Sequence, residues 1–311
     1  MKTLKELYRI GIGPSSSHTM GPRKAAEMFL AKHPEAKSFE VTLYGSLAAT
    51  GKGHMTDVAI IDTLEPHAPL KLNWEPQHFL PFHPNGMLFK SKDENGKVTD
   101  EWTVFSVGGG ALAEEGISTV TSPEIYDMNK MSQILGWCER TGRSYWEYVE
   151  QCEESDIWDY LNEVWKTMRA AVERGLDHEG VLPGPLNLRR KASTYYIKAK
   201  GFKDNLRSRG LVFSYALAVS EENASGGKIV TAPTCGAAGI VPASGIVSTA
   251  QAAFCALAEN FSTCVAERNY LSVLLAKCSF SNDLSKNEDG LADWLVTALD
   301  SFKTMKNPQT A

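Results

Sequence analysis

Residues 13–22 read Gly-Pro-Ser-Ser-Ser-His-Thr-Met-Gly-Pro. Three serines, a histidine and a threonine stand together with no apolar run, just ahead of the amphipathic positions Ala25, Met28 and Phe29. Hydroxyls and free amides at a helix start can receive an anion, because the first N–H groups have no intrahelical partner and the dipole favours negative charge. A carboxylate or phosphate would suit Ser15, Ser16, Ser17 and Thr19. The same residue types are also ordinary helix caps. A second histidine, His54, follows Gly51-Lys52-Gly53 and precedes a helical pattern. Glycines permit close backbone approach to a ligand, and imidazole has the proton affinity for base chemistry near neutral pH. The plainer alternative for His54 is a solvated loop side chain.

Two more segments are rich in small and polar residues. Ser106-Val107-Gly108-Gly109-Gly110 is either a tight turn or an anion-binding loop. Glu221 to Lys228, followed by Thr231-Ala232-Pro233-Thr234-Cys235-Gly236-Ala237-Ala238-Gly239, is denser in such residues than a plain connector needs. Asn223, Thr231 and Thr234 are its candidate ligand contacts. Six cysteines stand at 138, 152, 235, 255, 264 and 278. None forms a C-x-x-C pair, so spacing alone supports no metal site, and buried or incidental thiols are the favoured reading.

These residues need elements to position them. Phe39 to Leu43 alternates as a strand does and ends at Tyr44-Gly45-Ser46. Lys71 to Trp74 is a weaker strand. Met87–Phe89 and Trp102–Val107 flank Asp93-Glu94-Asn95-Gly96, and Asn-Gly between apolar runs signals a hairpin. Near Ser122-Pro123-Glu124 the texture changes, and Pro at a first helical position predicts a helix start there. In 157–174 apolar residues recur at three- and four-residue steps, with Gly175 as the expected stop. Val181 to Leu186 is a rigid break, and Leu211 to Val219 begins a further helix ended by Gly226-Gly227. The expected fold is an α+β N-terminal domain followed by an all-α domain.

The chain has 311 residues, 43% of them hydrophobic and 22% charged, with a net charge of −5. This is the composition of a globular protein of about two domains. The acidic balance, with pI near 5.9, argues against a nucleic-acid partner. No stretch has the apolar length of a membrane span or the core of a signal peptide, so a cytoplasmic protein without membrane partner is expected.

Gly13 to Thr19, with Tyr44-Gly45-Ser46-Leu47, Gly51-Lys52-Gly53-His54, Leu182-Pro183-Gly184-Pro185-Leu186 and the run from Asn223 to Gly239, closely resembles the iron–sulfur L-serine dehydratases of single-chain type. The resemblance spans roughly residues 1–243 with the motifs in family order. It implies residues 1–150 as a β-type domain (its α+β core to about 120, then a linking helix) and 151–243 as the start of a helical, catalytic α-type domain. It also implies a lyase acting on L-serine, yielding pyruvate and ammonia, and a homodimer. A [4Fe–4S] cluster with an open iron would act as Lewis acid on the substrate hydroxyl. A base then removes the α-proton, with His54 the first candidate and His18 the second. The hydroxyls of 15–19, with Lys52, Asn223, Thr231 and Thr234, would bind the substrate, or an amino acid at a regulatory site.

Residues 244–311 carry none of these motifs. Cys255, Cys264 and Cys278 stand in surroundings unlike the family's cluster contexts, so no cluster ligand is assigned. The all-α domain is therefore expected to be incomplete and the chain inactive. Its alternative reading is a non-catalytic fragment that keeps an amino-acid-binding domain. A pyridoxal-phosphate lyase would need a Schiff-base lysine, and no lysine is singled out.

Overall fold

The computed structural model describes residues 1–116 and 123–247. The cysteines at 255, 264 and 278 lie outside them. Two sheets organise the chain. The larger has five strands in the order β3-β2-β4-β5-β6: β2 Ser38–Tyr44, β3 Leu70–Glu75, β4 Gly86–Lys92, β5 Val98–Gly108 and β6 Ala111–Ala113. β2 pairs parallel with β3 and antiparallel with β4. The β4–β5 hairpin closes at Asp93–Gly96, where the Asp93 carbonyl accepts from the Gly96 amide. Helices α2 (Gly21–Lys32) and α4 (Thr56–Leu64) contribute Ala25, Ala26, Phe29, Ile60 and Leu64 to a core with Val41, Leu43, Met87, Phe89 and Val104. The alternation in β2 arises because its odd-numbered residues face that core, each large one worth about 1.5–3 kcal/mol of transfer free energy.

A short helix α1 (Leu4–Leu7) precedes the sheets, and helices make up most of the later part of the described chain: α5 Met131–Thr141, α6 Tyr145–Cys152, α7 Ile157–Asp177, α8 Ala192–Lys200, α9 Asp204–Ala224 and α10 Ile240–Val247. Leu161, Val164, Met168, Ala171 and Val172 form the buried stripe of α7. A second core joins Ala171 and Val172 to Val219, Ile229, Cys235 and Met20.

Four sequence expectations need correcting. Helix α9 begins at Asp204, not at Leu211. Pro123 opens no helix, and α5 begins only at Met131. The amides of Ile125 and Tyr126 are instead drawn to the Met1 carbonyl, and the Tyr126 hydroxyl donates to Glu153 at 2.6 Å. Tertiary partners here override a local helix signal. Gly175 does not stop α7, which continues to Asp177. A Cβ on Gly175 would lie 2.6 Å from the Ala218 carbonyl carbon and 2.9 Å from its Cα, so this glycine lets α7 touch α9. The part expected to be all helical also holds a strand, β7 (Lys228–Val230). It pairs antiparallel with β1 (Ile10–Ile12), and Gly13 extends the seam by donating to the Gly227 carbonyl. The coarse α+β character stands.

Candidate functional site

The site grows from the end of β1. After Gly13 the chain makes a tight π-helical turn, Ser16–Met20, that runs straight into α2. Ser15 caps it: its Oγ accepts the His18 amide at 3.1 Å. Ser15 in turn gives its own amide to Thr19 Oγ1 at 3.1 Å. The buried Thr19 donates its hydroxyl to the His54 carbonyl at 2.6 Å. Thr56 reciprocates by donating to the His18 carbonyl. The two histidine-bearing segments are thus stitched together by backbone acceptors and threonine hydroxyls.

His54 ends a 3-10 turn, Gly51–His54, that follows the short helix α3 (Gly45–Thr50). Met55 takes a left-handed conformation, φ 56°, which turns the chain into α4. The imidazoles of His18 and His54 stand 4.8 Å apart between ring centroids, tilted by 35°. His54 Nδ1 lies 3.0 Å from the Thr50 carbonyl oxygen. A carbonyl can only accept, so Nδ1 carries the proton and Nε2 keeps its lone pair. His18 Nδ1 meets Ser17 Oγ at 2.9 Å, and its Nε2 meets Ser46 Oγ at 3.2 Å. Burial pushes the His18 pKa below the usual imidazole range, the adjacent His54 pushes it further, and a backbone hydrogen bond at Ser46 opposes them. His18 is therefore held neutral at physiological pH.

The C-terminal end of α9 closes one side. Asn223 Nδ2 donates to the Pro14 carbonyl at 3.1 Å, while its Oδ1 is buried with no donor among the described residues. Gly226, at φ 75°, sits against Met55: a Cβ there would lie 3.1 Å from the Met55 sulfur. The structure thereby brings together Ser15, Ser17, His18, Thr19, His54 and Asn223.

Other sequence candidates fall elsewhere. Ser16 is buried, with its carbonyl accepting the Gly21 amide. The Thr231 hydroxyl is consumed in the N-terminal seam, donating to the Leu7 carbonyl and accepting the Arg9 amide, both at 3.0 Å. Thr234 is exposed beside that seam. Lys52 is exposed, with its ammonium 5.6 Å from the Trp74 ring centre. The Gly108–Gly110 run is a tight turn between β5 and β6, all three glycines at positive φ, and Arg9 donates to the Gly109 carbonyl. A cavity of about 650 Å³ opens on the polar face of the sheet, around Glu40, Thr42, Tyr44, Asn73, His78 and Lys90, and does not include the histidine pair. Sequence reasoning missed Ser46 and Thr50 as site residues. Their i, i+4 spacing just after a strand end was the available signal.

The described cysteines do not fit an iron–sulfur cluster. Cys138, Cys152 and Cys235 sit in three different elements. Burial raises all three thiols above their ordinary range, that of Cys235 to about 12, against the thiolate a cluster needs. Among the described residues no three His, Cys, Asp or Glu side chains are grouped to hold a metal. No described helix is long and apolar enough to cross a membrane.

Two family models match. Serine dehydratase beta chain covers residues 3–75, and Serine dehydratase alpha chain covers 42–276, past the last of the motifs quoted above. The L-serine dehydratase of Haemophilus influenzae is 34% identical over 298 residues, covering 78% of this chain and 65% of that protein. L-serine dehydratase 1 of Escherichia coli is 35% identical over 297 residues, with the same coverage. That of Streptomyces coelicolor is 35% identical over 290 residues, 76% of this chain and 64% of the relative. The chain thus spans just under two thirds of the length of these relatives. Since the alpha-chain match alone takes in most of the sequence, the chain belongs to the L-serine dehydratase family.

Proposed function

We propose that this chain serves an L-serine ammonia-lyase reaction, L-serine to pyruvate and ammonia, and that the histidine pair is its proton-handling centre. The observation that carries this is the fixed tautomer of His54. With Nδ1–H committed to the Thr50 carbonyl, Nε2 is a ready base for the α-proton of serine. His18 stands 4.8 Å away between ring centroids, held neutral by burial and by the adjacent imidazole, so it is a neutral neighbour to that base. Loss of the α-proton and of the β-hydroxyl leaves aminoacrylate, whose imine tautomer takes up water to give pyruvate and ammonia. The partly exposed hydroxyls of Ser15 and Ser17 are assigned to the substrate carboxylate, to which they would turn their protons on binding, away from the Ser17 Oγ and His18 Nδ1 contacts of the ligand-free chain. Ser16 and Thr19, both buried, are assigned to holding the turn. The buried Asn223 Oδ1 is an acceptor suited to the substrate ammonium.

The finer division into a β-type part and a helical catalytic-type part is supported by the change from sheet to helix after residue 113. The family resemblance brings with it a [4Fe–4S] cofactor. The described residues offer it no donor set, and no step above runs through it. Anaerobic incubation of the full chain with iron and sulfide, followed by a coupled pyruvate assay on L-serine, tests the reaction. The expectation of inactivity rests on the motifs ending near residue 243; the alpha-chain match runs on to residue 276, and pyruvate formation that depends on His54 is the expected result. Saturable serine binding without pyruvate would replace the reaction by amino-acid binding alone.

A further inference from the structure

Helix α3 touches both imidazoles from one face. Ser46 and Thr50 are one turn apart, and the Thr50 hydroxyl donates to the Ser46 carbonyl at 2.9 Å. The Ser46 hydroxyl holds His18, while the Thr50 carbonyl holds His54. The start of α3 is itself pinned, because the amides of Gly45 and Ser46 donate to the carbonyls of His78 and Pro84, both at 2.9 Å. A side chain on Gly45, at φ +51°, would strike the Pro84 carbonyl at 2.6 Å. Ser46 is therefore presented to His18 by backbone that has little room to shift.

One set of hydrogen-bond directions around His18 satisfies every group in contact with it. A neutral imidazole donates from one nitrogen and accepts at the other. Ser15 Oγ accepts the His18 amide and lies 3.5 Å from Ser17 Oγ, so its own proton is free to point there. Ser17 then has its proton to give, and the neighbour at 2.9 Å is His18 Nδ1. With Ser17 as that donor, Nε2 carries the ring proton, and Ser46 Oγ receives it at 3.2 Å, beside the backbone hydrogen bond at Ser46 that also favours a protonated ring. We propose that Ser46 is a positioning residue that holds His18 in the Nε2–H tautomer, opposite to the Nδ1–H tautomer of His54. One turn of helix then sets complementary tautomers on two facing imidazoles and leaves His54 Nε2 as the unengaged lone pair. The inference deepens the proposed function and rests on it for the role of the pair, though not for the tautomers.

The test is nitrogen-15 NMR of the histidine rings in the full chain, at a pH above their titration, with His18 assigned by the signals lost in His18→Gln. Wild-type His18 should show a protonated Nε2 and an unprotonated Nδ1. Ser46→Ala should lower the ratio of Nε2–H to Nδ1–H by roughly three- to tenfold, the range of one neutral hydrogen bond. Ser46→Thr, which restores a hydroxyl, should return the ratio toward wild type. A wild-type His18 protonated at Nδ1 overturns the proposal, and this reading stands even if Ser46→Ala fails to fold. So does a folded Ser46→Ala protein whose ratio is unchanged. The spectra need no turnover: the expected tautomers in a chain that never makes pyruvate would sink the reaction alone, and turnover with the wrong tautomer would sink this inference alone.

Discussion

Gly175→Ala should destabilise the protein, although alanine is the better helix former. Gly175 lies inside α7, two residues before its end, and exchange for alanine in a free helix interior gains about 1 kcal/mol. Here the new Cβ would meet the backbone of Ala218 in α9: the carbonyl carbon at 2.6 Å, the Cα at 2.9 Å and the carbonyl oxygen closer still. Carbon atoms rest at about 3.5–4.0 Å, so the two helices must separate by roughly 1 Å. Overpacking of this kind costs about 1–3 kcal/mol, occasionally more. A backbone obstacle belongs at the upper end, because it cannot rotate away as a side chain can. The net expectation is a loss of about 1–2 kcal/mol, and a fall in Tm of about 2–8 °C. Gly136, also inside a helix, is the control: a Cβ there meets only the guanidinium tip of Arg140, at 3.3 Å. Gly136→Ala should raise stability by about 0.5–1 kcal/mol. Thermal and urea unfolding followed by circular dichroism measure both. Equal or greater stability of Gly175→Ala would refute the close-approach argument and restore the helix-stop reading.

In the reconstituted chain, His54→Ala should lower pyruvate formation by about two orders of magnitude or more, as loss of a general base does. His33→Ala should leave it near wild type, since His33 meets Asp100 at 3.0 Å and packs its ring 4.6 Å from that of Phe29, just beyond the end of α2; unchanged turnover in His54→Ala removes that residue from the mechanism. The Lys92 ammonium beside Glu40, with Asn73 and Lys71, holds the Glu40 carboxyl down at about 2. Because the folded pKa lies below the unfolded one, the stabilisation is complete above about pH 4.5 and is lost as pH falls toward 2. The Tm gap between wild type and Glu40→Gln should shrink across that window, and a gap independent of pH contradicts the pairing. Burial pushes the Cys235 thiol up to about 12, so alkylation at pH 8 followed by peptide mass spectrometry should find it the slowest of the three described cysteines.

Local pattern announced most of the elements. The alternation of Phe39 to Leu43 and the Asn95-Gly96 turn gave β2 and the β4–β5 hairpin, since both signals are carried by neighbours in sequence. The apolar spacing of Ile157, Leu161, Val164 and Met168 likewise gave α7. What failed was decided at a distance. Pro123 looks like a helix start until Met1, more than a hundred residues earlier, takes the amides of Ile125 and Tyr126. The same limit applies to the site. His18 and His54 could be nominated by residue type and glycine flanks. Their facing geometry needed Thr19 and Thr56 to bond across to each other's loops, which no single segment reveals. Thr231 drew notice for its setting and proved to brace the Leu7–Arg9 backbone.

The pairing of β1 with β7 has a consequence for how the chain can be assembled. Ile10 waits for Val230, so the strand leading into the Ser15–Thr19 turn stays without its partner while over two hundred residues are made. At ordinary synthesis rates of 5–20 residues per second that is roughly ten to forty seconds. The five-stranded sheet with α2 and α4 can form meanwhile from contacts near in sequence, whereas the turn that carries His18 gains its Asn223 support only at the end. A recombinant fragment cut near residue 150 would therefore keep the sheet, expose the edge of β1, and separate the histidine pair from Asn223 and Gly226. Studies that seek an isolated ligand-binding half should divide the chain elsewhere, or supply residues 223–230 in trans.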